Sequence, residues 1–229
     1  MDQPWTTTTI DQKLVRGTVE LERTAAGVLP RRLPAWARAQ NTDLQLTIAE
    51  AQPTGVRLEF RTRATAIELD VLPTKIAYAE APGPGPDGVY DLLVNGQLVA
   101  QGSATSGNIL NYDRLAGTAT LQPGDPATVS FTDLPDHGKI VQIWLPHNES
   151  TELVALRTNA PVIPIDSAQR IWLHHGSSIS HGLDAHSPAS IWPAVAAARG
   201  GVDLVNVAFG GGACSTRSRR AHCGTSARI

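Results

Sequence analysis

Ile171-Trp172-Leu173-His174-His175-Gly176-Ser177-Ser178-Ile179-Ser180-His181-Gly182 is the stretch that decides how this chain is read. It opens as a short apolar run with a β-branched and an aromatic residue, and it ends in a Gly/Ser cluster. That is the pattern of a buried strand entering a tight turn. A serine at such a turn is pushed out of the sheet, with its hydroxyl at the carboxyl end of the strand. Small neighbours then let a substrate carbonyl come close. This is the mechanical logic of a nucleophile elbow, although the spacing is not G-x-S-x-G. The alternative reading is an ordinary serine-rich turn at a strand end.

The next residues extend the pattern. Ser190 is expected to cap a helix that tolerates Pro193 in its first turn. Ile191, Ala194, Val195 and Ala198 follow at helical spacing, and Gly200-Gly201 closes the helix. Asp203-Leu204-Val205-Asn206-Val207-Ala208-Phe209 reads as a second buried strand, with Gly210-Gly211-Gly212 at its carboxyl end. Strand, helix, strand at this length is a βαβ unit, so the two strands are expected to be parallel. Both glycine-rich turns then fall at one edge of the sheet, where α/β folds place their sites.

Two blocks resemble a known family. Gly176-Ser177-Ser178-Ile179 resembles the Gly-Asp-Ser-Leu block of the SGNH (GDSL-type) esterases and acylhydrolases, with Ser177 where the family has Asp. Asn206-Val207-Ala208-Phe209-Gly210-Gly211 resembles the family's Asn-x-Gly-x-x-Gly block, with Ala208 in place of the first glycine. The resemblance implies a flavodoxin-like α/β domain and a serine esterase, acylhydrolase or acyltransferase acting on an ester of a small or carbohydrate-like substrate. It puts Ser178 at the nucleophile and the amides of Ser178 and Gly211 in the oxyanion hole. A glycine suits that role because its amide can approach the substrate with no Cβ in the way. Ser177, His181 and Asn206 are pocket candidates. The resemblance implies no cofactor and no metal.

A serine hydroxyl needs a base, and the base needs an orienting carboxylate. In the family both come from an Asp-x-x-His block near the domain's end, and an Asn in a third block completes the oxyanion hole. Neither block occurs in this sequence after Gly211. The resemblance therefore covers only the first part of a catalytic domain, and little or no turnover is expected of the chain as written. His174, His175, His181 and His186 cluster near the serine, but none is separated from Ser178 as a triad base normally is. A metal cluster of His181, Asp184 and His186 is a rival with irregular spacing.

The chain has 229 residues and a formal net charge of −2, which suits one or two soluble domains. No basic excess points to nucleic acid, and no apolar run is long enough to span a membrane. The start lacks the basic and apolar parts of a signal peptide, so a cytoplasmic location is the expectation. The expected partner is a small-molecule ester, with no nucleic acid and no membrane, and the oligomeric state is open.

Residues 1–165 read as an all-β, jelly-roll-like β-sandwich domain, and residues 166–229 as the N-terminal part of an SGNH hydrolase domain. Val56 to Phe60 and Ile67 to Val71 alternate apolar and charged residues. Asn95-Gly96 marks a type I′ hairpin within Asp91 to Val99. Ile140 to Leu145 and Glu152 to Leu156 are expected to pair. Ala35 to Gln40 is either a helical turn or loop. Pro161-Val162-Ile163-Pro164-Ile165-Asp166 is expected to be the join between the two domains, since two prolines favour an extended linker. A non-catalytic β-sandwich binding module with a vestigial α/β appendage is the alternative function.

The last residues, 213–229, break the pattern. Arg217, Arg219, Arg220 and Arg228 occur there without an acidic residue, together with Cys214 and Cys223, the two cysteines of the chain. Codons that shift the frame within Cys214 to Ser218 yield a helix-like sequence, so an out-of-frame, truncating tail is expected. A disulfide, a metal site with His222 and a nucleic-acid tail are weaker readings.

Overall fold

Period-two alternation builds most of the chain. The computed structural model describes residues 4–81 and 83–211. Gly212 and residues 213–229, where the out-of-frame tail is expected, lie outside them. Four strands come first: β1 (Thr6–Thr8), β2 (Val15–Arg16), β3 (Glu20–Arg23) and β4 (Val28–Arg31). Two helices follow, α1 (Ala35–Ala39) and α2 (Leu44–Ala51). Then come β5 (Arg57–Thr62), β6 (Ile67–Tyr78), β7 (Val89–Val94), β8 (Gln97–Ser103) and β9 (Asn108–Asp113). After these lie β10 (Thr118–Gln122), β11 (Ala127–Phe131), β12 (Lys139–Trp144), β13 (Ser150–Thr158) and β14 (Val162–Pro164). The described chain ends with β15 (Ile171–His174), α3 (Ser178–His181), a 3-10 turn (Pro188–Ser190), α4 (Trp192–Gly200) and β16 (Asp203–Asn206).

These strands form three sheets. One has eight strands, ordered β10-β9-β6-β13-β4-β3, with β11 also on β6 and β1 also on β13. It is mixed, because β6 and β9 run parallel. The second has six strands, ordered β14-β5-β12-β7-β8 with β2 added on β5, and all its pairings are antiparallel. Leu58 and Phe60 of β5, Leu69 and Val71 of β6, Val141 and Ile143 of β12 and Leu153 and Leu156 of β13 share one buried core between these two sheets. Side chains of opposite parity face outward, as the strand period requires. On β6 the outward Glu68 and Asp70 meet Arg157 of β13, with Glu68 Oε2 at 2.8 Å. The hairpin at Asn95-Gly96 has φ of 50° and 80°, the positive pair that a type I′ turn demands.

The third sheet is β15 and β16, which pair in parallel with Ile171 opposite Asp203 and His174 opposite Asn206. It is fastened to the earlier elements on two sides. On one side Trp144 of β12 is buried with Ile191, Ala194 and Ala197 around α4 and with Leu204 of β16. There the Arg57 guanidinium lies 2.6 Å from Asp203 and 3.1 Å from Glu59. On the other side α1 and α2 give Ala37, Leu46 and Ala49 to a cluster with Leu33, Val207 and Phe209. Burying side chains the size of Val and Phe stabilises by about 1.5–3 kcal/mol each, so these contacts hold the third sheet firmly.

This overturns the expected fold class. The chain is not an N-terminal β-sandwich followed by a separate α/β start. It is one continuous domain of three sheets, with helices interspersed from Ala35 onward. The physical reason is the shared packing: α1 and α2, early in the chain, bury Val207 and Phe209 just beyond β16. Their signal was present. Asp43 Oδ1 accepts from the amides of Gln45 (2.9 Å) and Leu46 (3.4 Å), an N-cap, and Leu46, Ala49 and Glu50 are the buried face. Two local expectations also change. β12 and β13 lie in different sheets rather than pairing with each other. Ser190 belongs to the 3-10 turn, so α4 starts with Ile191 as N-cap and has no side-chain cap.

Candidate functional site

The residues 174–182 and 206–211 leave the carboxyl ends of the two parallel strands side by side. The Val207 amide donates to the His174 carbonyl at 2.8 Å, and the Phe209 amide to the Gly176 carbonyl at 3.4 Å. Ser177 is half-buried and Ser178 is exposed at the start of α3. The amides of Ser180 and His181 bond back to the Ser177 carbonyl at 3.1 and 3.0 Å, which forms the tight turn. Ser178 is therefore presented to solvent at the strand end, beside the Gly210-Gly211 loop.

That loop is held from behind by His181. Its Nδ1 accepts from the Gly210 amide at 2.9 Å, so Nδ1 carries no proton. The proton is on Nε2, which donates to the His147 carbonyl at 2.9 Å. The His181 side chain is wholly buried, and its own carbonyl accepts from Thr54 Oγ1 at 2.6 Å. Burial pushes its pKa well below the ordinary histidine value, helped by the nearby Arg32 cation. His181 is thus a neutral bridge with both ring nitrogens engaged.

Asn206 is buried as well. Its Nδ2 donates to the Ser180 carbonyl at 2.8 Å and its Oδ1 accepts from the Ala208 amide at 3.0 Å. It ties the serine turn to the loop beyond β16. Arg32, also fully buried, donates to the carbonyls of Asn206 (3.1 Å), Ala208 (2.7 Å) and Ala49, and its guanidinium lies 4.6 Å from the centre of the Phe209 ring. Nothing in the spacing of Arg32 announced that role; only the folded contact reveals it. Gly211 has φ of 77°, and a Cβ there would run into the Gln45 side chain of α2. Both features call for glycine at this position.

The other histidines are scattered around this edge. The His174 ring packs 5.1 Å from Trp172 and 4.9 Å from Trp192, centre to centre, and its Nε2 is buried without a hydrogen-bond partner among the described residues. Burial lowers its pKa, with the neighbouring His175 adding to the shift. His147 is buried and its pKa is likewise lowered, first by burial. His186 is exposed. The rival cluster of His181, Asp184 and His186 does not assemble, since both His181 nitrogens are engaged and no group of three or more metal-ligating residues comes together among the described residues. Also among the described residues, no helix is long and apolar enough to cross a membrane.

The chain shares its fold with solved acyl-transferring and ester-cleaving enzymes. Among solved structures, the salicylyl-acyltransferase SsfX3 of a tetracycline biosynthetic pathway is 27% identical and superposes with a TM-score of 0.70, over 90% of this chain and 54% of its own. A protein of Bacteroides ovatus described as a GDSL-like lipase is 14% identical with a TM-score of 0.63, over 94% of this chain and 59% of its own. The acetyl xylan esterase Est2A of the rumen bacterium Butyrivibrio proteoclasticus is 11% identical with a TM-score of 0.53, over 91% and 50%. The chain spans about half the length of these proteins. No protein-family model matches the sequence, and no curated protein sequence matches it significantly.

Proposed function

We propose that this chain carries the nucleophile and part of the oxyanion hole of a serine ester hydrolase or acyltransferase. Ser178 Oγ attacks the ester carbonyl, and the amides of Ser178 and Gly211 receive the negative charge that develops on the carbonyl oxygen. The observation that carries this reading is the exposed Ser178 turn standing against the Gly210-Gly211 loop, the two joined through His181. The likeness to the salicylyl-acyltransferase supports acyl transfer in the same way, as does the likeness to esterases for hydrolysis. A small or carbohydrate-like ester is the substrate class that this reading favours.

Proton removal from Ser178 is the limiting step. His181 cannot serve, because its two nitrogens already hold Gly210 and His147. Among the described residues no base bonds to the Ser178 hydroxyl, and attack without one retains only about 10³–10⁴-fold over water. Hydrolysis of p-nitrophenyl acetate is accordingly expected to be slow, dependent on Ser178, and accelerated by added imidazole as an external base. Ser178→Ala provides the background. A rate equal to that background at every imidazole concentration overturns the nucleophile assignment. It would then favour the second reading, a non-catalytic binding module.

A further inference from the structure

Among the described residues, the outer face of the six-stranded sheet is only half covered, and the open half is a groove. Strand alternation puts Arg57 and Glu59 of β5, Gln142 and Trp144 of β12, and Leu93 of β7 on the face opposite the core. The third sheet and α4 cover Trp144. The rest stays open as two cavities of 460 and 430 Å³, which are continuous because Gly96, Gln142 and Gln169 line both. Volumes of this size suit small-ligand sites. The groove lies at the amino ends of β15 and β16, flanked by Gln169 and Val202. Ser178 and Gly211 follow the carboxyl ends. Four-residue strands separate the two places by about 13 Å.

The chemistry of the walls selects a ligand. One wall is α4, with Ala194, Val195 and Ala198. The other is polar and pre-oriented. Glu59, 8% exposed, takes Arg57 Nε at 3.1 Å and Gln142 Nε2 at 2.6 Å on Oε2. Oε1 accepts no hydrogen bond among the described residues, which leaves it for a donor on a ligand. Gln142 is fixed from its other side, since Trp144 Nε1 donates to its Oε1 at 3.3 Å. Asn95 Oδ1 accepts from the Ile140 amide at 3.0 Å, so its Nδ2 is the group left to donate. The Arg57 charge is not free to draw an anion, since it is held between Glu59 and Asp203, and the groove lining balances Arg199 with Asp166. A neutral ligand fits this balance, and one carrying hydroxyls on one edge and C–H groups on a face fits the two walls.

We propose that this groove binds a neutral oligosaccharide, with the C–H faces of its sugar rings on α4 and their hydroxyls on Glu59, Gln142, Asn95 and Gln169. The inference stands on the groove alone and does not depend on the role of Ser178. Calorimetric titration of the chain with the β-1,4-linked hexamers of glucose, xylose and mannose tests it, with the hexamer of galacturonate as the charged control. At least one neutral hexamer is expected to bind, and the galacturonate hexamer about tenfold more weakly or not at all. Ala198→Trp fills the groove from an exposed position of α4 and is expected to weaken binding about tenfold or more. Gln169→Ala, also at an exposed position, is expected to weaken it severalfold, while Ser178→Ala leaves it unchanged. Thermal midpoints of the variants matching the parent show that the fold is intact. Binding to none of the neutral hexamers overturns the proposal. So does binding that survives Ala198→Trp, that disappears in Ser178→Ala, or that is equal for the charged hexamer.

Discussion

His181 holds the Gly210 amide on Nδ1 and the His147 carbonyl on Nε2, both at 2.9 Å, inside a site with no solvent exposure. One ring thus connects the serine turn, the glycine loop and the segment after β12. Removing it strands a buried donor and a buried acceptor and opens a cavity. His181→Ala is expected to cost about 3–5 kcal/mol in urea unfolding. His181→Gln can still accept from Gly210 and donate to His147, so a smaller loss of about 1–2 kcal/mol is expected. Equal losses for the two variants would show that the bridge contributes only its volume.

Stability should respond to pH in two opposing ways. His147, His174 and His181 all have pKa values lowered by burial in the fold. Their contribution is fully present above the unfolded value near 6.5 and is lost as pH falls below it, by about 1.4 kcal/mol per pH unit for each of the buried His147 and His181 and by less for the half-exposed His174. Glu149 does the reverse. Its carboxyl is buried, which pushes its pKa up to about 7, while the Gly88 amide donates to its Oε2 at 3.1 Å. Its contribution is full below the unfolded value of 4.5 and is lost as pH rises through about 7. Glu149→Gln removes that loss, which is on the order of 3 kcal/mol. The variant is expected to match the parent at pH 4 and to exceed it at pH 8, as read by urea midpoints.

Asp203 is the buried end of a bridge between sheets. Its Oδ1 meets Arg57 at 2.6 Å and its Oδ2 accepts from Ser167 Oγ at 2.6 Å. Asp203→Ala leaves the Arg57 charge with Glu59 as its remaining carboxylate partner, so a loss of about 3–5 kcal/mol is expected. Arg57→Met with Asp203→Leu removes both charges together and should cost clearly less than the sum of the single changes. Additive losses in that double-mutant cycle would count against coupling across the two sheets.

Gly211→Ala meets two separate obstacles, a positive φ and the Gln45 side chain. The backbone cost is about 1–2 kcal/mol. Adding Gln45→Ala relieves the collision but not the backbone strain, so the pair should recover part of the loss and retain about 1 kcal/mol. Full recovery would mean that φ at this position is free to change.

Sequence alone carried the local chemistry of the chain. The Asn95-Gly96 turn, the alternation of Ile67 to Val71 and the strand–helix–strand order that makes β15 and β16 parallel were all legible. They are set by neighbours within a few residues, through allowed φ, side-chain period and chain reach. The placing of a serine at a strand end belongs to the same class of information. What short-range pattern could not supply was partnership. β12 and β13 have equally strand-like sequences, and nothing in either says that they join different sheets.

The tertiary structure decided the rest. It put α1 and α2 under Val207 and Phe209, and so made one domain where composition suggested a break. It turned His181 and Asn206 inward, because their polar atoms find partners on Gly210, His147, Ser180 and Ala208. A buried polar group is stable only where such partners converge, and those partners are brought together by contacts up to 176 residues apart along the chain, as between Arg32 and Ala208. Turns and periods are properties of adjacent residues, whereas the burial of a histidine is a property of everything that packs around it.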